Sequence, residues 1–101
     1  MEDLSKIDTY PHFHNFTANS NTTRIALPSD CRKISIGSEE KKLYVCRNGA
    51  TDDGALPAHY QFIPKDNMLP INMGVGKTVD FNIYVASSSG SAKVHIILME
   101  E

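Results

Sequence analysis

The sequence lacks a surplus of charge of either sign. Its 10 basic and 12 acidic residues give a net charge of −2 over 101 residues. Proteins that bind nucleic acids usually carry a basic patch or stripe, so no nucleic-acid partner is expected. The chain also lacks an apolar run of the roughly 18–20 residues that a membrane-spanning helix needs, so no membrane association is expected either.

A secretion signal is missing from the first residues. The stretch MEDLSKIDTYPHFHNF has no basic start and no apolar segment after it, whereas a signal peptide has both. This pattern predicts a protein that is made and kept in a cytoplasm, or assembled there. The length of 101 residues predicts a single domain with one core of modest size.

A complete phosphate-binding loop is absent. The stretch GVGKT, residues 74–78, matches the end of the motif G-x-x-x-x-G-K-[ST], but isoleucine stands at position 71, where the first glycine belongs. The motif also requires a following helix, whereas TVDFNIYV alternates with the period of a strand. We interpret Gly74 and Gly76 as a turn between two strands and Lys77 as solvated, and we expect no nucleotide.

Metal-binding patterns are absent as well. A zinc site needs three or four ligands held in a rigid frame, and the histidines at positions 12, 14, 59 and 95 have no such spacing. The calcium-loop pattern D-x-[DN]-x-[DN]-G does not occur either. No metal is therefore predicted, and His95 is expected on the outward face of its strand.

No group of side chains predicts catalysis. Cys46 has the cation of Arg47 beside it, but no His–Asp or His–Asn pattern accompanies this thiol. Cys31 opens one predicted strand and Cys46 closes the next, so a hairpin could bring them together as a disulfide, while a cytoplasmic origin favours two thiols. The sequence predicts no enzyme, no catalytic residue and no cofactor, and it leaves the cysteine pairing open.

What the chain does contain is a succession of short alternating segments. Apolar residues two apart mark one face of each, as in Ile34 with Ile36 and Leu43 with Val45. Six or seven such segments are separated by turn residues about every 8–12 positions. This spacing predicts an all-β fold, namely an antiparallel β-sandwich of 6–8 strands with a jelly-roll or immunoglobulin-like topology.

The most regular segments are TVDFNIYVA, residues 78–86, and AKVHIILM, residues 92–99. The short loop SSSGS between them, with Gly90 available for a positive φ, predicts that they pair as a hairpin. Pro70 confines the segment MLPINM to a sheet edge or an extended link. In the segments of residues 78–86 and 92–99, the residues predicted to point inward are Val79, Phe81, Ile83, Val85, Val94, Ile96 and Leu98.

The first 21 residues have no clean period and contain Pro11, which blocks a helix. Unlike a disordered tail, they carry large apolar side chains. We predict an extended N-terminal arm over residues 1–21 that docks on a neighbouring subunit, and a β-sandwich domain over residues 22–101. The alternative is that this segment folds back on its own domain. The predicted partner-binding residues are Leu4, Ile7, Tyr10, Phe13 and Phe16.

The run from Thr22 onwards contains LPSD, the strand KISIG, the turn Y-x-F-I-P-K-D and the closing stretch FNIYVASSSGSAKVHIILME. In these features it resembles small structural proteins of tailed-phage virions, which decorate a capsid or form part of a neck or fibre. It implies a compact sandwich without a cofactor or active residue. It also implies symmetric oligomers or many copies on a lattice, with terminal arms that clamp neighbours.

Two functions are therefore expected from the sequence. The first is a non-enzymatic structural protein of a virus particle, assembled in the host cytoplasm and attached to capsid, neck or tail subunits and to further copies of itself. The second is a module that binds a carbohydrate or receptor through loops 48–57 and 87–91. For the second function, Tyr44, Tyr60 and Tyr84 are the candidate sugar platform, since aromatic faces are apolar surfaces with a polar tip.

Overall fold

The computed structural model describes residues 1–73 and 81–100. The predicted turn at Gly74, Gly76 and Lys77, together with Val79 and the side chain of Phe81, lies outside the described residues. The described part of the chain forms strands and no helix, which confirms the all-β prediction. The strands are β1 (Glu2–Asp3), β2 (His12–Ala18), β3 (Thr23–Leu27), β4 (Lys33–Ser38), β5 (Leu43–Cys46), β6 (Gln61–Ile63), β7 (Asn67–Asn72), β8 (Phe81–Ser87) and β9 (Ala92–Met99).

These strands form two sheets. One has five strands in the order β1-β3-β8-β5-β6, and the other has four in the order β2-β9-β4-β7. Neighbouring strands run antiparallel, except that β1 and β3 are parallel. Pro70 lies in β7 at a sheet edge, as predicted, because proline has no N–H for a second neighbouring strand.

The period of two determines which side chains form the core. Residues directly opposite each other on neighbouring strands of a sheet lie on the same face. Ile25 is opposite Ile83 in one sheet and Ile36 is opposite Ile96 in the other, and all four are buried. Both sheets contribute to one hydrophobic cluster. The predicted inward residues that the structure describes are all buried, namely Ile34, Ile36, Leu43, Val45, Ile83, Val85, Val94, Ile96 and Leu98.

The predicted terminal hairpin is wrong. Strand β8 lies between β3 and β5 in the five-stranded sheet, whereas β9 lies between β2 and β4 in the other. The connecting loop passes from sheet to sheet, and it is fixed where the Ser87 N–H donates to the Asn19 carbonyl oxygen at 2.8 Å. Gly90 has φ +57° in this loop, as predicted. Alternation gives both strands an apolar face whether they lie side by side or in different sheets.

Residues 1–21 show no extended arm. Strand β1 pairs with β3, and all seven residues of β2 pair with β9, from His12 opposite Leu98 to Ala18 opposite Ala92. Between these strands, the Leu4 N–H donates to the Ala26 carbonyl oxygen at 2.8 Å. The segment therefore follows the alternative in which it folds back on its own domain.

Within residues 1–73 and 81–100 there is no helix with the length and apolar character required to cross a membrane.

Candidate functional site

The five predicted partner-binding residues differ widely in exposure. Leu4 is buried in the core, while Ile7, Tyr10 and Phe16 are half-buried against it. Phe13 alone among these five is an exposed side chain, with 71% of its surface accessible. The difference between Phe13 and Phe16 follows from β2 itself, since residues three apart in a strand point to opposite faces. Of the predicted set, Phe13 is therefore the side chain that another molecule can reach.

Phe13 belongs to a row of residues across the outer face of the four-stranded sheet. The register places Phe13 opposite Ile97, Ile97 opposite Ser35, and Ser35 opposite Pro70. We call Phe13, Ile97, Ser35 and Pro70 the outer row. Met68 and Met99 point to the same face from neighbouring rows, and Met68 is 43% exposed. Three of the four positions in the outer row are thus apolar, and its two end residues, Phe13 and Pro70, are exposed.

A polar network lies beside the outer row. His95 faces outward, as predicted, and its Nδ1 lies 2.9 Å from the Asn15 Oδ1. Its Nε2 lies 3.1 Å from the Glu39 Oε1. Because both imidazole nitrogens have a partner, the His95 ring is held in place on this face. The outer face therefore combines exposed apolar groups with an ordered polar flank.

The two histidines of β2 occupy its other face. His14 Nε2 lies 2.8 Å from the Glu2 Oε1, so this contact joins an edge strand of one sheet to an edge strand of the other. His12 and His14 stack with ring centroids 6.1 Å apart. Among the described residues, no three side chains of His, Cys, Asp or Glu converge as a metal site. These histidines instead close one side of the core.

A second exposed group lies on the outer face of the five-stranded sheet. Tyr44 and Phe62 face each other across β5 and β6, and Tyr60 contacts Tyr44 edge-to-face at 4.9 Å. The Lys42 ammonium lies 5.4 Å from the Tyr44 ring centre and 5.8 Å from that of Phe62. We call Tyr44, Tyr60, Phe62 and Lys42 the aromatic cluster. Tyr60 and Phe62 are 44% and 59% exposed.

The aromatic cluster differs from the platform predicted from the sequence. Tyr44 and Tyr60 do come together, whereas Tyr84 lies on β8 opposite Cys46 and Arg24. Phe62 was missed, although the signal was present, because alternation about the buried Ile63 requires Phe62 to point outward. The cross-strand pairing with Tyr44 could not be read from the sequence.

An apolar cleft of about 400 Å³ lies where the β5–β6 edge approaches β7. Its lining includes the inward-facing Val45 and Ile83 of one sheet and Ile71 of the other, together with the exposed Arg47 and His59. The cleft thus reaches from the core between the sheets to the surface. Its lining is mainly apolar, and it lies close to the aromatic cluster through Tyr60.

The two loops predicted to contact a receptor both meet the segment of residues 19–22. The Thr22 hydroxyl donates to the Thr51 carbonyl oxygen at 2.6 Å, and the Asp53 N–H donates to the Thr22 carbonyl oxygen at 2.6 Å. From the other loop, the Ser87 N–H donates to the Asn19 carbonyl oxygen. Loops 48–57 and 87–91 are therefore fixed to one turn of the protein.

The Asp52 carboxylate adds an electrostatic contact to this loop arrangement. It accepts a hydrogen bond from the Arg24 N–H at 2.9 Å, and this bond, with the nearby amino terminus, lowers the pKa of the Asp52 carboxyl. The Met1 amino group lies 3.5 Å from the same carboxylate. The hydrogen bond from β3 thus favours the charged form of Asp52.

Among the described residues, burial alters the acidity of one thiol and one phenol. Burial raises the pKa of the Cys46 thiol, which disfavours the nucleophilic thiolate. Burial and a 2.6 Å hydrogen bond to Asp30 raise the pKa of the Tyr10 phenol. Cys31 and Cys46 are both buried and form no disulfide. Cys31 lies two residues before β4 and Cys46 ends β5, and these two strands lie in different sheets, so they do not form the hairpin that could have brought the thiols together.

Comparison with known proteins gives no match, since no family model, no curated protein and no solved structure is similar to the chain. Within residues 1–73 and 81–100, the outer row and the aromatic cluster are two surfaces whose chemistry suits a binding partner. Large exposed apolar or aromatic side chains that lie together commonly mark sites of interaction.

Proposed function

We propose that the chain is a non-enzymatic structural protein of a virus particle, in which a β-sandwich packs against capsid, neck or tail subunits and further copies of itself. The arrangement of two sheets around one shared cluster of buried residues supports the sandwich. The resemblance of the sequence to small structural proteins of phage virions supports a place in a virus particle. A rigid β body of this kind serves as a building block because its surface chemistry is held in fixed register.

The observation that carries this proposal is the outer row. Its four members lie in register across the four strands of one sheet, and three of them are apolar, with Phe13 71% exposed at one end and the exposed Pro70 at the other. Flat sheet surfaces with aligned apolar groups suit packing against a second flat surface. The outer row is therefore the surface proposed to contact neighbouring subunits.

The energetics favour assembly in many copies. Burying a side chain of the size of phenylalanine or isoleucine contributes about 1.5–3 kcal/mol. Phe13, Ile97, Pro70 and Met68 together therefore contribute several kcal/mol, of the same order as the about 4–15 kcal/mol lost when two molecules associate. A single contact of this size is weak, whereas several contacts on a lattice or in a ring add up.

The structure changes the part that residues 1–21 play in this proposal. Leu4, Ile7, Tyr10 and Phe16 pack against the protein's own core, so they stabilise the subunit. Of the five residues, Phe13 is the exposed one and can contact a neighbouring subunit. Attachment is accordingly assigned to the outer row and not to a free arm.

A second function is favoured by the aromatic cluster. Exposed aromatic rings present apolar faces on which the C–H groups of a sugar ring can pack, and the Lys42 ammonium supplies a hydrogen-bond donor beside them. Tyr60 and Phe62 present such rings on the outer face of the five-stranded sheet. The alternative function is therefore a carbohydrate- or receptor-binding module that uses Tyr44, Tyr60 and Phe62.

Two matched substitutions separate these functions. Phe13→Ser and Phe62→Ser each remove an exposed phenylalanine from an edge strand, but from different sheets. For a structural protein, we expect Phe13→Ser to lower the amount of chain recovered in purified particles of the encoding phage about tenfold or more, because about 1.5–3 kcal/mol of burial is lost at each of many contacts. Phe62→Ser should leave that recovery unchanged.

For a carbohydrate-binding module the outcome is reversed. Phe62→Ser should then abolish binding of the purified chain to a glycan array, while Phe13→Ser binds as the wild type does. Absence of the wild-type chain from purified particles would overturn the structural role. Thermal unfolding of both variants provides the control, since neither side chain contributes to the core.

A further inference from the structure

The four sheet edges of the described structure are not equally protected. Strand β1 has two residues and β6 has three. Strand β7 carries Pro70 within it. Strand β2 has seven residues, all paired with β9 on one side, and contains no proline, glycine or lysine. Short length, proline and lysine are the usual devices that keep edge strands from pairing with other chains, so β2 is the one edge here without them.

The free edge of β2 is large enough for a specific pairing. Seven extended residues span roughly 23 Å at 3.3–3.4 Å per residue. Along a sheet edge, every second residue directs its N–H and C=O away from the sheet, and these groups can form a ladder with a further strand. A partner added here would extend the four-stranded sheet, with its side chains continuing the outer row beyond Phe13.

The sequence of β2, HFHNFTA, is suited to pairing with itself. An antiparallel arrangement with a two-fold axis at Asn15 sets Asn15 opposite Asn15 of the second copy. It also sets Phe13 opposite Thr17 and His14 opposite Phe16, each of these pairs occurring twice. Amide pairs hydrogen-bond and aromatic pairs stack across antiparallel strands. His14 and Phe16 already lie 6.0 Å apart between ring centres within one β2.

Charge also favours a second copy as the occupant of this edge. Strand β2 contains no Asp, Glu, Lys or Arg. Two copies of β2 can therefore pair without placing like charges of these residues opposite one another. Two acidic groups near this strand already have partners, since Glu2 contacts His14 and Glu39 contacts His95. The flanking Lys93 is opposite Thr17 on β9, one strand removed from the edge.

We propose that two copies of the chain associate by antiparallel pairing of their β2 edges about Asn15, which joins two four-stranded sheets into one of eight strands. The edge of β2 would then be the surface through which the proposed structural protein binds further copies of itself. The proposal rests on the proposed function only in assuming that the chain self-associates. It concerns the isolated chain, so it can fail while incorporation into particles persists, and the reverse also holds.

The test places charges on the two-fold axis. Asn15→Asp and Asn15→Lys each set like charges directly opposite one another in the dimer, whereas an equal mixture of the two variants sets opposite charges there. Like charges directly opposed destabilise a strand pair, by an amount that corresponds to an about fivefold weaker association. Sedimentation velocity over a range of concentrations measures the effect against the 11.2 kDa monomer.

We expect the wild type to approach twice the monomer mass as concentration rises, each variant alone to require about fivefold higher concentration, and the mixture to recover wild-type association. Asn72→Asp, an exposed position on the other edge strand β7, is the matched control and should associate as the wild type does. Any of three results overturns the proposal: a wild type that stays monomeric throughout, an association that the Asn15 variants leave unchanged, or a mixture of the two variants that fails to restore association. Unfolding curves of each variant verify that the subunit stays folded.

Discussion

We expect deletion of residues 1–21 to abolish cooperative folding of the chain. The deletion removes β1 and β2, and with them the buried Leu4 and Ala18 and the half-buried Ile7, Tyr10 and Phe16. Burying one large apolar side chain contributes about 1.5–3 kcal/mol. The combined loss is therefore comparable with the about 5–15 kcal/mol by which a whole domain is stable.

Circular dichroism during thermal unfolding measures this effect. The truncated chain should show no sigmoidal transition, whereas a full-length Lys6→Ala/Asp8→Ala variant, changed at two exposed positions of the same segment, should unfold as the wild type does. A truncated chain that unfolds cooperatively near the wild-type temperature would show that residues 1–21 are an appendage to an independent domain of residues 22–101.

The second large effect is expected from Gly37→Ala. Gly37 lies in β4 between β7 and β9, opposite Met68 and His95. A methyl group built at this position would overlap the carbonyl oxygen of Asn67 and come within 2.8 Å of the Met68 Sδ. Because the main obstacle is backbone, the strands themselves must separate. Overpacking of this kind costs typically 1–3 kcal/mol, so we expect a loss of about 3 kcal/mol in the free energy of unfolding.

Urea denaturation followed by circular dichroism gives that free energy. Ser35→Ala is the matched control, because Ser35 lies on the same face of β4, two residues before Gly37, and the substitution adds no atoms. Its effect on the free energy of unfolding should stay within about 0.5 kcal/mol, as for most surface substitutions. If Gly37→Ala proves as stable as Ser35→Ala, then β7 does not lie against β4 as closely as the contact with Asn67 requires.

The strands and their buried faces could be predicted because alternation is a local property. Ile34 and Ile36, or Val94 and Ile96, lie two residues apart on a pleated strand, and their hydrophobicity alone directs them inward. The partner of each strand is a different matter. The loop of residues 88–91 is short enough for a hairpin, yet it connects two sheets. Both arrangements bury the same residues, so the sequence pattern does not distinguish them.

The candidate surfaces were predicted in part. Tyr10, Phe13 and Phe16 stand at steps of three, which made them look like one set of contact residues on an arm. In a strand, however, Phe13 and Phe16 lie on opposite faces, and the structure has one exposed and the other half-buried. The alternation of HFHNFTA carried that information. The outer row itself, with Phe13 beside Ile97, Ser35 and Pro70, depends on contacts between distant parts of the chain.

The position of β9 has a consequence for biosynthesis. Ala92–Met99 is translated after every other strand described, yet it lies between β2 and β4 and holds them in one sheet. Until β9 has left the ribosome, β2 has no hydrogen-bonded neighbour in its sheet. Pairing across such sequence separations is slow, because long loops must close before the contacts form. The nascent polypeptide therefore completes its fold only after synthesis has passed Met99.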